Sequence, residues 1–496
     1  METLELFIDG KFVPAKSGDE REIEYPANGQ IHIRAAEAGK EDAKAAIASA
    51  RKEFDTGNWT KTTYAQRGEI LRKVANRLIA ERDEIGRMES MDTGKTYAEG
   101  KADVDDVASV FNYYADMAYA DGGRVVEPSM DGISSKIVHE PVGVCALIMP
   151  WNYPLLQASW KVAPALLAGN TIIMKPSELT PSTTHYLTKI LIEEGVEPGA
   201  VQLLLGSGAE VGPVLTESPD VDMVSFTGGL VTGRSIMASA AGTVKRVALE
   251  LGGKNPNVIF ADADMEAAID NALTGIFLDS GQVCSAGSRL IVEESIKDEV
   301  VNELVKRAAN IKMGASFDEG VETGPLISKE HREKVMAYVD RAIEQGAKVL
   351  VGGEIPEGEL AEGYFYPPTI LGECTRDMDC VHDESFGPVL TVETFSGDTD
   401  EEKEANALEI ANDTYYGLAG AVWTSNAGRA ERMARAMRHG TIWINDYHPY
   451  VAPAEWGGMK QSGNGRELGP TGLAEYQEIK HIWHNTKPAP AGWFKN

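Results

Sequence analysis

The sequence predicts an α/β protein built from two α/β units, and three observations support that class. From residue 142 to about residue 445, short apolar runs alternate with segments of helical periodicity. Strands that alternate with helices of this length form right-handed βαβ units and hence a parallel sheet. The chain has 496 residues, which exceeds an ordinary single domain. Glycine-rich and polar residues follow several apolar runs, where ligands bind in parallel sheets.

The first 40 residues predict a small β-ribbon, because Asp9-Gly10 separates two short strand-like runs. An Asp-Gly pair in that setting is a strong hairpin signal. Residues 41–54 and 64–82 then show helical spacing, with apolar residues gathered on one face. We expect these two helices to cover the sheet.

The first parallel unit is predicted from five apolar runs. They are, in order, VGVCALIM, TIIMK, VQLLLG, DMVSF and VALEL, with helices near 155–169, 183–194 and 209–217 and from Val231. A second unit is predicted from about residue 257 to 445, with strands RLIVE, KVLVGG and TILGE. A helix over 426–439, capped by Asn426 and stopped by Gly440, leads into the strand TIWIN.

The composition excludes several classes of protein. The formal net charge is −29, and no basic patch offsets it, so nucleic-acid binding is not expected. The negative charge favours solubility. A more specific hypothesis is adaptation to a cytoplasm with a high salt concentration. No segment approaches about 18 uninterrupted apolar residues, and no basic stretch followed by an apolar run opens the chain. The sequence therefore predicts a cytoplasmic protein with no membrane span and no signal peptide.

Four cysteines, at positions 145, 284, 374 and 380, are expected to be reduced thiols because CxxC spacing and disulfide-scaffold density are both absent. Cys145 lies inside an apolar run and is predicted to be a core residue. Cys374 and Cys380 would need two further soft ligands to hold zinc, and we can place none. No metal-ligand set is predicted.

Cys284 is the candidate nucleophile. It lies among small residues in FLDSGQVCSAGSR, which would let a substrate carbonyl approach closely. Alone, such a cysteine is more often a core residue. Glu250 ends the strand VALEL and could serve as a base, although a glutamate at a strand end is usually solvated. Together, and with Asn152 and a glycine turn, they favour a catalytic site.

The glycine turn follows DMVSF and contains Gly228, Gly229 and Gly233. Its free amides and the positive end of the next helix would suit a pyrophosphate, although its spacing departs from GxGxxG and a bare βα loop is the alternative. After TIIMK, Lys175 and Glu178 fall where dinucleotide folds hold the adenosine ribose. Glu178 would accept from the 2′-hydroxyl and repel a 2′-phosphate, so NAD is favoured over NADP. The alternative is a solvated surface pair.

Two later segments complete the prediction. Glu384 and Phe386 lie on a tight turn, ESFGP, for which an ordinary loop is the alternative. Residues 136–139 and 479–483 are predicted to form a β arm. Because a projecting arm is usually an oligomer contact, we expect a homodimer or homotetramer.

Six motifs occur together in one chain order. They are PWNYP at 150–154, MKPSE at 174–178, FTGG at 226–229 followed by Gly233, LELGGKNP at 249–256, GQVCS at 281–285 and ESFGP at 384–388. This set resembles the NAD(P)-dependent aldehyde dehydrogenase superfamily, and the likeness runs from about residue 7 to about residue 480. It implies a Rossmann-like cofactor domain (1–125 and 145–250), a catalytic α/β domain (251–445) and a small β oligomerisation arm (126–144 and 470–491).

The resemblance also implies roles for the matching residues. Cys284 would be the nucleophile and Glu250 the general base, while Asn152 and the Cys284 N–H would hold the oxyanion. The implied cofactor-binding residues are Trp151, Lys175, Glu178, Gly228, Gly229, Gly233, Glu384 and Phe386, and Lys175 is also counted as catalytic. Gly229 replaces a serine found in many relatives, so only backbone amides would face the pyrophosphate. The chemistry agrees, because a thiolate can attack an aldehyde, release hydride to nicotinamide and leave a thioester for water to hydrolyse.

The candidate substrate-binding residues are Tyr153, Trp160, His448, Tyr450 and Trp456. Aromatic faces suit a quaternary ammonium, although each ring alone is more often core packing. Their segments are similar to those of betaine aldehyde dehydrogenases, which implies oxidation of betaine aldehyde to the osmolyte glycine betaine. Leu278 stands where some members of that group carry another aromatic residue.

Other functions are considered beside this one. A broader aldehyde or aminoaldehyde dehydrogenase is the alternative within the family. A thiol hydrolase lacks a histidine motif here and leaves Glu178 unexplained. A non-catalytic structural protein would not need Cys284 and Glu250 together. A monovalent cation such as K⁺ near Asp92 is a further hypothesis.

Overall fold

The computed structural model describes residues 3–120 and 122–494. The strands in these residues are β1 (Thr3–Leu4), β2 (Leu6–Ile8), β3 (Lys11–Val13), β4 (Glu20–Tyr25), β5 (Gln30–Ala36), β6 (Arg124–Val126), β7 (Ile133–Pro141), β8 (Val144–Ile148), β9 (Thr171–Lys175), β10 (Val201–Leu203), β11 (Met223–Thr227), β12 (Arg246–Glu250), β13 (Pro256–Ile259), β14 (Arg289–Glu293), β15 (Lys348–Val351), β16 (Thr369–Gly372), β17 (Val389–Phe395), β18 (Ala419–Trp423), β19 (Thr441–Ile444), β20 (Gly463–Asn464) and β21 (Gln477–Asn485). The helices are α1 (Lys40–Thr56), α2 (Tyr64–Ala80), α3 (Arg82–Thr93), α4 (Tyr97–Met117), α5 (Pro154–Ala168), α6 (Ser182–Glu193), α7 (Gly208–Glu217), α8 (Leu230–Ala240), α9 (Met265–Phe277), α10 (Lys297–Ala308), α11 (Lys329–Glu344), α12 (Asp400–Asn412), α13 (Ala427–Ala436) and α14 (Gly469–Glu475).

The first sheet has eight strands in the order β20-β12-β11-β8-β9-β10-β2-β3. The five strands from β12 to β10 are parallel and correspond to the five predicted apolar runs. The predicted Asp-Gly hairpin is also present, and it extends this sheet through an antiparallel pair of β2 with β10. In register, Ile148 lies opposite Lys175, and Thr227 opposite Glu250. The carboxyl ends of four neighbouring strands therefore meet at one edge.

The second sheet has seven strands in the order β15-β16-β17-β14-β13-β18-β19, and only β15 runs antiparallel to its neighbour within the described residues. Cys284 precedes β14 and Glu384 precedes β17, so both lie at the amino ends of their strands. The rule that sites follow the carboxyl ends of strands thus applies to the first sheet and fails for the second. The two sheets present opposite strand ends to the site.

Two small sheets complete the fold. One has the order β1-β5-β4, and the other, β21-β7-β6, pairs nine residues of β21 with nine of β7. The predicted β segments at 136–139 and 479–483 lie in this second small sheet. Eight of the nine residues of β21 are exposed.

The predicted helices are present with shifted ends, while α3, α4 and α14 were not predicted. Helix α2 begins with a capping box between Thr63 and Gln66 and buries Leu71, Val74 and Leu78. Helix α13 begins after the predicted cap Asn426, but it ends at Ala436, so Gly440 is not its stop. Instead, a Cβ at Gly440 would lie 1.7 Å from the carbonyl oxygen of Gly457, and this close approach requires glycine. Within the described chain, no helix combines the length and apolarity of a transmembrane segment.

Candidate active site

Cys284 is held by the segment that joins α9 to β14. Asp279 and Ser280, just after α9, have φ values of 47° and 53°, in the left-handed region that non-glycine residues rarely adopt. The Asn255 side chain fixes the next part of the segment, because its Nδ2 donates to the carbonyl oxygens of Cys284 and Ala286, each at 2.9 Å. Strained conformations of this kind persist only where surrounding contacts over-determine them.

Two cavities meet at Cys284. The central cavity, of about 500 Å³, is lined by residues that include Trp151, Asn152, Gly228, Glu250, Glu384 and Phe386. The aromatic cavity, of about 480 Å³, is lined by residues that include Tyr153, Trp160, Leu278, His448, Tyr450 and Trp456. Among the described residues, Gln157 and Cys284 line both cavities. Cys284 therefore lies on a shared wall, where groups bound on either side could meet.

Burial dominates the electrostatics of Cys284. Burial raises the pKa of the thiol to about 12, and the nearby carboxyl groups of Glu250 and Glu384 act in the same direction. The backbone N–H groups of Ser285 and Cys284 partly oppose this rise. Asn152 lies beside the same segment and donates from Nδ2 to the carbonyl oxygen of Gln282 at 2.8 Å. Asn152 and Cys284 thus line the same cavity.

Glu250 is the last residue of β12 and is only 5 % exposed. Burial raises the pKa of its carboxyl group well above the usual value. The neighbouring Glu467 raises this pKa further, whereas Lys161 acts to lower it. Oε2 of Glu250 has no hydrogen-bond partner among the described residues. A buried carboxyl group with a free oxygen facing a cavity is suited to exchange a proton with a water molecule there.

A third cavity, the outer cavity of about 680 Å³, extends the central one. It shares Trp151, Gly228 and Gly229 with the central cavity and reaches Lys175 and Glu178 at its far end. Helix α8 begins directly after Gly229. Because glycine has no side chain, it cannot accept a hydrogen bond from the first backbone N–H groups of the helix, which lie beside this cavity. An uncapped helix N-terminus favours an anion.

Lys175 and Glu178 form a pair at the far end, with Nζ of Lys175 3.3 Å from Oε2 of Glu178. Burial opposes ionisation of Glu178, but Lys175 outweighs it and holds the pKa of that carboxyl group below its usual value. Burial also lowers the pKa of Lys175. Glu178 therefore presents a charged acceptor at the end of the outer cavity.

The three glycines of the turn differ in what their surroundings require. A Cβ at Gly228 would lie 2.5 Å from Cζ of Phe226, and one at Gly233 would lie 2.6 Å from Cδ2 of Leu251. A Cβ at Gly229 would meet nothing within 4 Å. Gly233 does not line any of the three cavities. Glycine is required at this position because α8 packs closely on Leu251.

The segment before β17 forms the other end of the central cavity. Oε1 of Glu384 accepts from the N–H of Gly253 at 2.9 Å, and burial raises the pKa of Glu384 to about 7. The ring of Trp151 packs edge-on against Phe386 and His331, with centroids 5.2 Å and 5.1 Å apart. Burial lowers the pKa of His331 to about 4, so this imidazole is neutral near pH 7. The sequence did not point to His331.

The aromatic cavity contains a cluster of three rings. The centroid of Trp160 lies 5.4 Å from that of Tyr450 and 5.8 Å from that of Trp456. The hydroxyl of Tyr450 donates to Oδ2 of Asp106 at 2.8 Å. Tyr153 also lines this cavity, but the ammonium of Lys95 lies 3.8 Å from its ring centroid. One face of Tyr153 is therefore already occupied by a cation.

His448 and Asp92 have local partners. Nδ1 of His448 lies 3.5 Å from the hydroxyl of Ser285, and burial lowers the pKa of His448 to about 4. Asp92 is buried and accepts from the backbone N–H and hydroxyl of Ser182, each at 2.8 Å. Nε2 of His32 lies 3.1 Å from the same carboxylate. Over residues 3–120 and 122–494, no group of three or more His, Cys, Asp and Glu side chains could hold a metal ion.

The sequence matches the model of the aldehyde dehydrogenase family over residues 12–482. The chain belongs to this family. It is 54 % identical to betaine aldehyde dehydrogenase of Bacillus subtilis (strain 168), over 99 % of both chains. It is 42 % identical to aminoaldehyde dehydrogenase 2, peroxisomal, of Pisum sativum, over 99 % of this chain and 98 % of the relative.

A solved structure of betaine aldehyde dehydrogenase from Staphylococcus aureus, in complex with NAD+, has the same fold. It is 48 % identical, the TM-score is 0.97, and the match covers 99 % of this chain and 97 % of the other. The aldehyde dehydrogenase fold predicted from the six motifs is confirmed. The family assignment is confirmed with it.

Sequence reasoning missed two groups of residues in this family member. The first group, Glu99, Asp103 and Asp106, lines the aromatic cavity from α4. Their spacing of four and three residues places them on one helix face, a signal that was available once α4 was recognised. The second group is the buried pair Lys161 and Glu467, which lies behind Glu250, and Nζ of Lys161 also donates to the Thr227 hydroxyl at 2.8 Å. Only tertiary packing brings this second group together.

Proposed function

We propose that this protein oxidises betaine aldehyde to glycine betaine with NAD as the hydride acceptor, through a thioester on Cys284. The observation that carries the proposal is the position of Cys284 on the wall shared by the central and aromatic cavities. A nucleophile there can reach a carbonyl carbon on one side while the leaving hydride points to the other. The curated name of the Bacillus subtilis relative supports the choice of aldehyde.

The central and outer cavities fit a dinucleotide. The uncapped start of α8 at Gly229 suits the pyrophosphate, and the open space around that glycine leaves room for it. Glu178 would accept from the 2′-hydroxyl of the adenosine ribose and repel a 2′-phosphate. Trp151, Glu384 and Phe386 would hold the nicotinamide end. Bound NAD supplies the acceptor for hydride.

The chain's own groups supply the remaining chemistry. The Cys284 thiolate adds to the aldehyde carbon, and Nδ2 of Asn152 and the Cys284 N–H donate to the resulting oxyanion. Loss of hydride toward the central cavity gives the thioester. Glu250 then takes a proton from the water that hydrolyses it. Because the pKa of Glu250 is raised, its basic form becomes more abundant as the pH rises.

The aromatic cavity supports a cationic aldehyde. Trp160, Tyr450 and Trp456 offer ring surfaces, and ring faces attract a quaternary ammonium. The carboxyl groups that α4 adds along the same wall are those of Glu99, Asp103 and Asp106. Lys95 already pairs with Asp103, so the longer-range attraction for a cation comes from Glu99 and Asp106.

A comparison of two aldehydes tests the choice of substrate. We expect kcat/KM with NAD to be at least about tenfold higher for betaine aldehyde than for its uncharged isostere 3,3-dimethylbutanal, a difference of about 1.4 kcal/mol. NADH absorbance gives both rates, and replacing NAD by NADP should lower them. Equal kcat/KM for the two aldehydes would contradict recognition of the cation.

A charge variant sharpens this test. Asp106→Asn should lower kcat/KM for betaine aldehyde about fivefold, because a carboxylate near the cation contributes about 1 kcal/mol, and leave 3,3-dimethylbutanal nearly unaffected. Asp105→Asn is the matched control, since the neighbouring Asp105 pairs with Arg82. An equal loss with both aldehydes in Asp106→Asn would show that the carboxylate does not act on charge.

An aminoaldehyde is the second candidate substrate. The carboxyl groups of Glu99 and Asp106 suit a primary ammonium that donates hydrogen bonds, which a trimethylammonium cannot do, whereas Asp103 already accepts from the ammonium of Lys95 at 2.6 Å. A substrate panel distinguishes the two, because a higher kcat/KM for 3-aminopropanal than for betaine aldehyde would favour this candidate. A broader aldehyde dehydrogenase would show similar values throughout.

Further parts of the proposal concern the whole protein. We assign cofactor binding to residues 1–125 and 145–250, catalysis to 251–445 and oligomer contacts to 126–144 and 470–491. We expect a cytoplasmic homodimer or homotetramer. A thiol hydrolase or a non-catalytic structural protein would give no NADH. If K⁺ binds near Asp92, it must do so beside the contacts of that carboxylate with Ser182 and His32.

A further inference from the structure

The segment that carries Glu384 and Phe386 is held against α11 at two points. Nε2 of His331 donates to the carbonyl oxygen of Phe386 at 2.7 Å, and the hydroxyl of Tyr338 donates to the carbonyl oxygen of Cys380 at 2.6 Å. His331 and Tyr338 are about two helical turns apart, and both line the central cavity. One face of α11 therefore holds the segment before and after Glu384.

The held segment has a backbone conformation that needs such contacts. Phe386 has a φ of 51°, in the left-handed region that non-glycine residues rarely adopt. The carboxyl group of Glu384, just before it, fits closely against a neighbouring turn. Oε1 accepts from the N–H of Gly253 at 2.9 Å, and a Cβ at Gly252 would lie 1.9 Å from Oε2. A small shift of the segment would therefore break this fit.

Lys254 lies behind Tyr338 and is fully buried. Its Nζ donates to the Tyr338 hydroxyl at 3.0 Å, which is the one hydrogen bond that Nζ makes within the described part of the chain. Burial lowers the pKa of Lys254 to about 8, so the side chain is mainly an ammonium near pH 7. A hydroxyl that accepts from a cation donates more strongly to its own acceptor. Lys254 therefore strengthens the bond from Tyr338 to Cys380.

These contacts form a closed network around Glu384. From Glu384 the network passes through the hydrogen bond to Gly253 and then to the adjoining Lys254. It continues through the hydroxyl of Tyr338 to Cys380 and returns along the chain to Glu384. The Tyr338 hydroxyl accepts one of these hydrogen bonds and donates another, so its removal opens the network at two contacts.

We propose that Tyr338 is a positioning residue for the nicotinamide end of NAD and that Lys254 acts through its hydroxyl. This role rests on the proposed function, in which Glu384 helps to hold that end of the cofactor. Without the hydroxyl, the segment can relax and Glu384 loses its fixed place. The adenosine end should be unaffected, because Glu178 lines the outer cavity, whereas Tyr338 and Glu384 line the central one.

Calorimetric titration of the full-length protein with two ligands tests this role. Tyr338→Phe keeps the aromatic ring but removes the hydroxyl, so the Kd of NAD should rise about fivefold, the factor that one typical hydrogen bond contributes. ADP has the adenosine and pyrophosphate groups but no nicotinamide ribose, so its Kd should stay at the wild-type value. An unchanged Kd of NAD, or an equal rise for NAD and ADP, would overturn the role of Tyr338. Wild-type protein that binds neither ligand would contradict the proposed function, and this role with it.

Tyr366→Phe is the matched control. Tyr366 lies in the same apolar cluster as Tyr338 but lines none of the three cavities, and its hydroxyl donates to the carbonyl oxygen of Gly353 at 3.2 Å. Both variants should lower the midpoint of urea unfolding, because each leaves a carbonyl group without its donor. Only Tyr338→Phe should raise the Kd of NAD. An equal rise in Tyr366→Phe would show that lost stability alone weakens binding and would overturn the role.

A double variant separates Lys254 from Tyr338. Methionine resembles the stem of lysine without its charge, so Lys254→Met should raise the Kd of NAD less than Tyr338→Phe does. Lys254→Met/Tyr338→Phe should give the Kd of Tyr338→Phe alone, because Lys254 acts only through the hydroxyl. An unchanged Kd in Lys254→Met, or fold increases that multiply in the double variant, would remove Lys254 from this role. The double variant also leaves no buried ammonium without an acceptor, so it tests Tyr338 even if Tyr338→Phe does not fold.

Discussion

At the scale of single residues, the candidate nucleophile and base share one poorly hydrated environment. Burial raises the pKa of both Cys284 and Glu250, and each group raises the cost of ionising the other. In the absence of ligands, the Cys284 thiol is therefore neutral near pH 7, and burial shifts Glu250 toward its neutral form. The backbone N–H groups of Ser285 and Cys284 favour the loss of one proton from the pair. The loss of both protons would place two negative charges close together and is strongly disfavoured.

The first prediction concerns the ionisation of Cys284. With the thiol pKa near 12, the thiolate fraction should rise about tenfold per pH unit from about pH 7 to about pH 9. The rate of iodoacetamide alkylation at Cys284, measured by peptide mass spectrometry without NAD, should rise in parallel. A rise of only about threefold between about pH 8 and about pH 9 would contradict the prediction, since a thiol with the ordinary pKa of about 8.5 behaves in that way.

The second prediction concerns Glu250. In Glu250→Gln the side chain keeps its shape but cannot accept a proton, so steady turnover should fall about 10²–10⁴-fold, the usual contribution of a general base. Stopped-flow absorbance of NADH separates the first turnover from the steady state. The exposed Glu344→Gln is the control and should behave as the wild type. Full steady turnover by Glu250→Gln would remove Glu250 from the base role.

At the scale of elements, the site forms where strand ends of opposite sense meet. Strands β8, β9, β11 and β12 present their carboxyl ends, whereas β14 and β17 present the segments that precede them. Helix α8 adds its N-terminus to the same space, and α4 adds a face with three carboxyl groups. The side chains that line the site come from all of these elements, so no single element carries the function.

The third prediction concerns the start of α8. Gly229 has φ −73° and ψ 147°, which any residue can adopt, and a Cβ there meets nothing. Gly229→Ser should therefore stabilise the protein by about 0.5–1 kcal/mol, because serine caps the helix and restricts the unfolded chain. The midpoint of urea unfolding measures this change.

Gly228→Ser is the matched control for that prediction. Its Cβ would lie 2.5 Å from Cζ of Phe226, so the midpoint of urea unfolding should fall. A lower midpoint for Gly229→Ser as well would contradict the conclusion that position 229 is open. NAD titration of Gly229→Ser should give a lower Kd, since the added hydroxyl can donate to a pyrophosphate.

At the scale of the whole molecule, the sheet β21-β7-β6 leaves apolar side chains exposed. Ile479 is 70 % and Trp483 49 % exposed, and alternation along β21 places both on one face. Exposed apolar patches on a strand that also offers a free edge are typical of subunit contacts. This agrees with the proposal that 470–491 forms part of an oligomerisation arm.

The fourth prediction tests that arm. Trp483→Lys should shift the protein toward smaller species in size-exclusion chromatography with light scattering, because a charge would replace apolar area in the contact. His484→Lys, which changes the adjacent residue on the opposite face of β21, is the control and should keep the wild-type mass. An unchanged mass for Trp483→Lys would place the subunit contact elsewhere.

Much of the fold could be predicted from local patterns. The five apolar runs of the first unit and the Asp-Gly hairpin are strands as expected, since alternation of strands and helices and turn chemistry are encoded within short windows. Helix α4 was missed, although its capping box between Thr96 and Glu99 is a local signal. The end of α13 was predicted too late, because Gly440 was taken as its stop signal. Glycine is instead required there by the close approach of the distant Gly457 backbone.

The sequence by itself determined the family, the order of the strands along the chain and the residue types of the candidate site, because motifs and periodicity are local properties. Only the tertiary structure decided that Cys284 lies between two cavities, that α4 lines one of them with carboxyl groups, and that Lys95 already occupies a face of Tyr153. It also decided the raised pKa values of Cys284 and Glu250. These properties depend on burial and on side chains distant in sequence, and both are fixed only when the elements pack together.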